Sequence, residues 1–314
     1  MTVPLVTGAT GFAGGHLVEH LLEHAPRVAA WGHAGGRDLP TASDERVAWS
    51  AVDITDRDAV TRTLDQLRPS AIYHCAGIAD VHGTWAASTR ALRVNVIGTH
   101  TLLDAVERLR LDIPILVTGS ALVYGSSLEA LTEDSPLLPS SPYGVSKLAQ
   151  EMVADQAPGH VILARSFNHA GPRQGPAYVT SSFARQIAEA ESGIREPVLA
   201  VGNLDARRDL TDVRDTVSAY RLLVERGRAH HPYNVCRGEA FRIGDLLHSL
   251  IRQAQIPIEV RTDPARLRPN DNPVVLGNPQ RLQRDTGWAP AIGIDDTLRD
   301  LLMYWRRQLT HDSL

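Results

Sequence analysis

The stretch "VTGATGFAGGHLVEHLLEH", residues 6 to 24, constrains this chain more than any other. It leaves a short apolar run, passes Gly8, Gly11 and Gly14 in a G-x-x-G-x-x-G turn, and enters a segment whose leucines recur at helical spacing. Glycine at these places allows a tight turn and lets backbone N–H groups approach a ligand closely. A diphosphate fits there, at the positive end of the helix. Phe12 and Ala13 lie on the same edge and join the three glycines as candidate cofactor contacts. A glycine triplet alone is a weak signal, but its place between the first strand and a long amphipathic helix makes it strong.

The rest of the first half continues the pattern. The runs "VPLV", "RVAA", "RVAWSAV", "AIYHCA", "IPILVTG" and "VILARSF" read as strands, most of them separated by helix-period leucines and alanines. That alternation predicts an α/β chain with a doubly wound parallel sheet. After about Phe167 the rhythm gives way to loops rich in Gly, Pro and Arg with isolated helices, "SSFARQIAEAESG" and "IGDLLHSLIRQA" among them. Residues 1–167 are therefore expected to form the dinucleotide-binding domain. Residues 168–314 should form mainly a smaller mixed α/β substrate lobe, with elements around 205–236 returning to the first domain.

At 314 residues and a net charge of −4 with interspersed signs, the chain can bury a large core and lacks the clustered Lys and Arg of a nucleic-acid surface. Small molecules are the expected partners. Cys75 and Cys236 are too few and too far apart in sequence for a disulfide framework or a zinc site, which points to a reducing cytosol. No apolar run reaches membrane-spanning length and the first residues lack an export pattern, so a soluble cytoplasmic protein is expected.

Further candidates come from the strand ends. Asp53, in "AVDITD", is placed to accept from an adenine amino group. The competing reading is that it caps the helix starting near Asp56. Ile54 beside it and Ala76 at the end of the fourth strand complete the candidate cofactor contacts. Where the second strand ends, in "RVAAWGHAGGRDLP", no acid stands ready for a ribose 2′-hydroxyl and Arg37 is the nearest fixed cation. This favours NADP(H), with NAD(H) the alternative if Arg37 discriminates little. His16, His20 and His24 follow one another at four-residue steps among Glu19 and Glu23, which suggests a metal. A fourth ligand and supporting partners are lacking, so a solvated helix face is expected and no metal is assigned.

"SPYGVSK", residues 141 to 147, sets Tyr143 and Lys147 one helical turn apart, and "VTGSALVYG" puts Ser120 at the carboxyl edge of the fifth strand. A nearby ammonium would bring a phenol of pKa about 10 toward working range. The glycine turn, "VDITD", "IYHCAGIADV", "RVNVIGTHTLLDAV", "VTGSALVYG" and "SPYGVSK" stand in one order. In that order and over nearly the whole chain the sequence resembles the extended short-chain dehydrogenase/reductase family, Rossmann-fold enzymes acting mostly on nucleotide sugars.

The resemblance implies that Ser120, Tyr143 and Lys147 are catalytic, with Tyr143 and Lys147 also touching the cofactor and Ser120 the substrate. "RSFNHAGPRQGPAYVTSSFARQIAEAESG", "VGNLDARRDLTDVRD" and "LRPNDNPVVLGNPQRLQRDTGWAP" are similar to stretches of GDP-mannose 4,6-dehydratases and GDP-6-deoxy-4-keto-mannose reductases. This likeness implies diphosphate contacts from Asn168 and Arg208, a phosphate contact from Arg268 and a ribose contact from Asp271, with Val179 near the nucleobase. The competing reading makes the arginines surface ion pairs. Asp80 stands where relatives often hold a small polar residue, and Ser182 where dehydratases hold a lysine. Dehydratases carry a glutamate two residues after the catalytic Ser or Thr, and that place is Leu122, so the likeness favours reduction of a GDP-4-keto-6-deoxy sugar in a homodimer. A 4-epimerase or a 4,6-dehydratase is the alternative, and a dinucleotide-sensing regulator on the same fold is the non-enzymatic one.

Overall fold

The computed structural model describes residues 3–33, 41, 43–79, 85–267 and 272–311. The chain begins β1 (Pro4–Thr7), α1 (Phe12–Leu22), β2 (Val28–Gly32), β3 (Val47–Ala51), α2 (Arg57–Leu67) and β4 (Ala71–His74). It continues α3 (Trp85–Leu92), a π-helical turn over Arg93–Gly98, α4 (Thr99–Arg108), β5 (Ile115–Ser120), α5 (Pro142–Asp155) and β6 (Val161–Ser166). The second part runs β7 (Asn168–Ala170), α6 (Val179–Glu191), β8 (Val198–Val201), β9 (Arg207–Asp212), α7 (Val213–Arg226), β10 (Pro232–Val235) and β11 (Ala240–Arg242). It closes with α8 (Ile243–Arg252), β12 (Glu259–Thr262), β13 (Val274–Val275), α9 (Gln280–Thr286) and α10 (Ile294–His311).

Seven strands among the described residues form one parallel sheet in the order β3-β2-β1-β4-β5-β6-β10. The two-residue period of a strand sends neighbours to opposite faces, and both faces are covered here. On β1, Leu5 joins the core under α2 and α4, whereas Val6 joins the core under α1 and α7. Strand order reverses between β1 and β4, which places the ligand crevice at their carboxyl ends, where Gly8 and Cys75 follow.

Local chemistry explains where the helices begin. Asp56, not Asp53, caps α2 by accepting from Ala59 N, while Asp53 accepts from the backbone N and hydroxyl of Thr55 in a tight turn. Ser141 caps α5 by accepting from Gly144 N, with Pro142 at the first helical position. No side chain caps α1 at Gly11.

The chain leaves the large sheet after β6 and re-enters it at β10, with α7 packed beside α1. The excursions build a small mixed sheet, in which β9 pairs with β7, β11 and β13, and a separate β8–β12 pair. Phe183, Ile187, Leu199, Leu246, Leu298 and Leu301 give this lobe its own apolar core.

Candidate active site

The glycine turn is built for close approach. Gly8 sits at φ +66°, and a Cβ there would lie 2.6 Å from Ala76 N. A Cβ on Gly14 would lie 2.2 Å from the Gly8 carbonyl oxygen. With no side chain capping α1 and no acid in its first turn, the N–H groups at Phe12, Ala13 and Gly14 present a positive, uncluttered edge. That arrangement fits a dinucleotide diphosphate. Phe12 stacks on His169 of β7, centroids 5.7 Å apart and planes at 6°, so the turn touches the strand that Asn168 opens.

Beyond the end of β3 Asp53 is exposed, and its carboxyl is held below the usual range, chiefly by the Thr55 backbone N–H and then by the Thr55 hydroxyl, with His33 and Arg93 also nearby. Ile54 is buried where a Cβ on Gly98 would reach within 2.7 Å of its Cγ2, tying the β3 edge to the π-helical turn. Ala76 donates its N–H to Thr7 Oγ1 at 3.2 Å.

Ser120 ends β5 and its Oγ accepts from Leu122 N at 3.2 Å, leaving the serine's own proton to donate. It hydrogen-bonds the Tyr143 phenol and so favours its ionised form. Burial works the other way and dominates: the phenol is pushed well above its ordinary range, with Tyr178 adding to the rise. The Lys147 ammonium donates to the Thr118 carbonyl at 2.7 Å and to Gln150 Oε1 at 2.6 Å. The same i, i+4 spacing that puts Lys147 on the phenol's face also puts it over the end of β5, where two oxygen acceptors engage two of its three N–H groups. Burial lowers its own pKa to about 8.

The residues expected to meet substrate, with Arg37, separate into those placed and those outside the described residues. Asn168 pairs with Leu210 across β7 and β9, so Asn168 and Arg208, two residues from Leu210, lie on one face of the small sheet. Arg208 donates through Nη1 to the carbonyls of Arg207 and Asn272, both at 2.8 Å. Val179 is an exposed residue opening α6. Arg37, Asp80, Arg268 and Asp271 lie outside the described residues.

The solvated face expected for the three histidines needs correction at its first member. His16 is buried, bonds Pro172 O through Nε2 at 2.9 Å, and has its pKa lowered to about 4, mainly by burial and then by Arg173. His20, Glu23 and His24 bring ligand atoms within 4.8 Å of one another, but Arg221 Nε donates to His20 Nε2 at 3.1 Å and puts a cation beside that donor.

Sequence reading passed over the polar residues that hold the site. Asn95, from the quoted "RVNVIGTH", is buried and bridges Ile78 N, Ile78 O and Ser146 Oγ. Gln150, three residues after Lys147, holds the ammonium. Tyr178 reaches from the second lobe to Ala79 O at 3.3 Å. Asn95 is a polar side chain inside the apolar run "VNVIG" and Gln150 lies one turn after Lys147 on the same face of α5, which is as much as the residues signalled.

A doubly wound sheet, a glycine-turn cradle and a Ser-Tyr-Lys set at the crevice define an oxidoreductase of the short-chain dehydrogenase/reductase class, built to hold a nicotinamide dinucleotide. The model of the family described as GDP-mannose 4,6 dehydratase matches residues 5–301, and the chain belongs to that family. It is 35% identical over 314 residues to the GDP-6-deoxy-D-mannose reductase of Pseudomonas aeruginosa, covering 98% of each chain. Among solved structures it is similar to the Pseudomonas aeruginosa protein RMD complexed with NADPH, at 33% identity and a TM-score of 0.85 over 98% of this chain and 100% of that one. It is also similar to the Thermus thermophilus UDP-glucose 4-epimerase in complex with NAD, at 26% identity and a TM-score of 0.84 over 97% and 99%.

Proposed function

We propose that the protein uses NADPH to reduce the 4-keto group of a GDP-4-keto-6-deoxy-hexose, giving a product of the GDP-rhamnose type. The observation that carries the reading is Leu122 beside Ser120: a base is needed there to take a C5 proton in dehydration, and an apolar side chain cannot serve. The 35% identity to a reductase along the whole chain supports it.

When bound, NADPH supplies a hydride to the sugar C4. Tyr143 would give its phenolic proton to the carbonyl oxygen, so that with that hydride the C=O becomes CH–OH. Ser120 donates to the same oxygen and fixes it in line. Lys147 holds the nicotinamide ribose and stabilises the tyrosinate left behind. The glycine turn, with Phe12 and Ala13, binds the cofactor diphosphate, and Asp53, Ile54 and Ala76 its adenine and ribose side. NADPH is preferred to NADH through Arg37.

On this reading residues 1–167 with the returning segment form the cofactor domain and 168–314 mainly the substrate lobe. Asn168 and Arg208 face the GDP diphosphate, Arg208 and Arg268 neutralise its charge, Asp271 reaches the ribose, and Asp80 and Val179 complete the pocket. The enzyme works as a cytoplasmic homodimer.

The test is incubation with GDP-mannose alone, and separately with GDP-4-keto-6-deoxy-mannose and NADPH. Reduction should consume NADPH one-for-one with the keto sugar, and GDP-mannose alone should give nothing. Dehydration of GDP-mannose by the unmodified protein overturns the reading, and net reduction never exceeding the enzyme concentration would favour the epimerase.

A further inference from the structure

Behind the Ser120–Tyr143 pair runs a buried chain of hydrogen bonds that the proposed reaction does not use. Lys147 Nζ donates to Gln150 Oε1 at 2.6 Å, and Gln150 Nε2 donates to Thr99 Oγ1 at 2.8 Å. Thr99 Oγ1 also meets His74 Nε2 at 2.8 Å, His74 Nδ1 meets Thr7 Oγ1 at 2.8 Å, and Thr7 Oγ1 accepts from Ala76 N. Gln150, Thr99, His74 and Thr7 are all at most 1% exposed.

The donor directions in this chain are determined by chemistry. Thr99 gives its proton to Asn95 O at 2.7 Å, so its oxygen can only accept from Gln150 and from His74. His74 is then the Nε2–H tautomer, and its Nδ1 takes the Thr7 proton. The Gln150 amide must turn its nitrogen to Thr99, which forces its oxygen toward the ammonium. An ammonium has three donors and no acceptor, and two of the three are committed to Thr118 O and Gln150 Oε1.

We propose that Gln150 is a positioning residue: its amide, locked at the far end by Thr99, pins the Lys147 ammonium against Thr118 and leaves a single N–H for the cofactor ribose and Tyr143. The inference rests on the assignment of Lys147 to the reductase site. An acceptor at this point also stabilises the charged ammonium in a place that burial makes hostile to charge. The titratable groups facing Lys147 are His74 and Cys75 at the end of β4 and Tyr143 on its own helix, while Glu151 one turn on is engaged by Arg165. Burial drives His74 to about 3 and Cys75 to about 12, and raises Tyr143 above its ordinary range, so Lys147 is the group of this set that titrates between pH 6 and 10.

The experiment measures NADPH affinity by fluorescence from pH 6 to 10, which needs no sugar, beside kcat for the keto sugar over the same range. In the unmodified protein NADPH affinity falls as pH passes the Lys147 midpoint. Gln150→Leu removes the acceptor and should move that midpoint down, by about one unit. Gln150→Glu places a carboxylate at the ammonium and should move it up by about one to three units. Opposite signs are the signature, since a merely structural defect would lower affinity in both without separating the midpoints. Unchanged midpoints, or shifts of one sign, overturn the proposal. If either Gln150 variant does not fold, Thr99→Val decides: freeing the far end of the amide should lower the midpoint and weaken NADPH binding, and an unchanged profile overturns the role. Unmodified protein that binds NADPH but leaves the keto sugar untouched defeats the substrate assignment alone.

Discussion

Replacing Glu151 by Gln should destabilise the protein far more than the loss of one surface charge would. Glu151 lies on α5 two turns beyond Tyr143, and Arg165 on β6 donates to both its carboxylate oxygens, through Nε at 3.2 and 3.0 Å and through Nη2. The side chains are 4% and 9% exposed, so neither charge can turn to solvent. Arg165 Nη1 also donates to Tyr124 Oη and Glu133 O, both at 2.8 Å, so neutral acceptors remain after the substitution but the counter-charge does not. Breaking a buried pair by removing one partner costs about 3–5 kcal/mol, because the other charge is left uncompensated. At about 2 °C per kcal/mol for a chain of this size, Tm should fall by roughly 6–10 °C. Scanning calorimetry of Glu151→Gln beside the double variant Glu151→Leu/Arg165→Met checks the reasoning, since removing both charges should recover most of the loss. A single variant within about 1 kcal/mol of the unmodified protein, or a double no better than the single, would refute it.

Tyr143→Phe should lower kcat by about 10² to 10⁴ with NADPH affinity nearly intact, and activity within a few-fold of the unmodified enzyme removes Tyr143 from proton transfer. Gly14→Ala should abolish NADPH binding in calorimetric titration, because its Cβ would sit 2.2 Å from the Gly8 carbonyl oxygen and force the turn open; unchanged affinity would mean that the turn is not the diphosphate cradle. Acid should destabilise the fold through His16, lowered to about 4 by burial and then Arg173, and His74, lowered to about 3 by burial and then Lys147. Both folded-state values lie below the ordinary 6.5, so the unfolded chain takes up these protons first: the contribution is complete above pH 6.5 and is lost as pH falls toward 4 and 3. Urea midpoints should therefore drop between pH 7 and 4.5, and by less in His16→Asn; equal drops would exclude His16 from the effect.

The large sheet was legible because its information is local. Six apolar runs bounded by turn residues and helix-period leucines give the first six strands, and a parallel sheet buried on both faces demands such runs. The seventh strand was harder: "YNV" in β10 is short and carries a polar Asn234, whose side chain accepts from Tyr124 Oη and donates to Leu131 O. The small sheet was not legible as strands. β7 and β11 are three residues long and β13 two, and β9 reads "RRDLTD", so pairing across long sequence separations, not pattern, makes these segments strands.

At the site, spacing located the residues but not the partners they choose. The four-residue step from Tyr143 to Lys147 puts both on one face of α5, and that much a sequence can say. What the ammonium does there depends on the Thr118 carbonyl from β5 and on a glutamine whose orientation is dictated by Thr99, His74 and Thr7 on three other elements. His16 shows the same limit in reverse. Its spacing with His20 and His24 suggests one shared surface, yet Pro172, 156 residues away, accepts from it and buries it, because the loop after β7 folds back over α1. Helical periodicity assigns a face to a side chain, and only the elements packed on that face decide whether it meets solvent, a carbonyl or a charge.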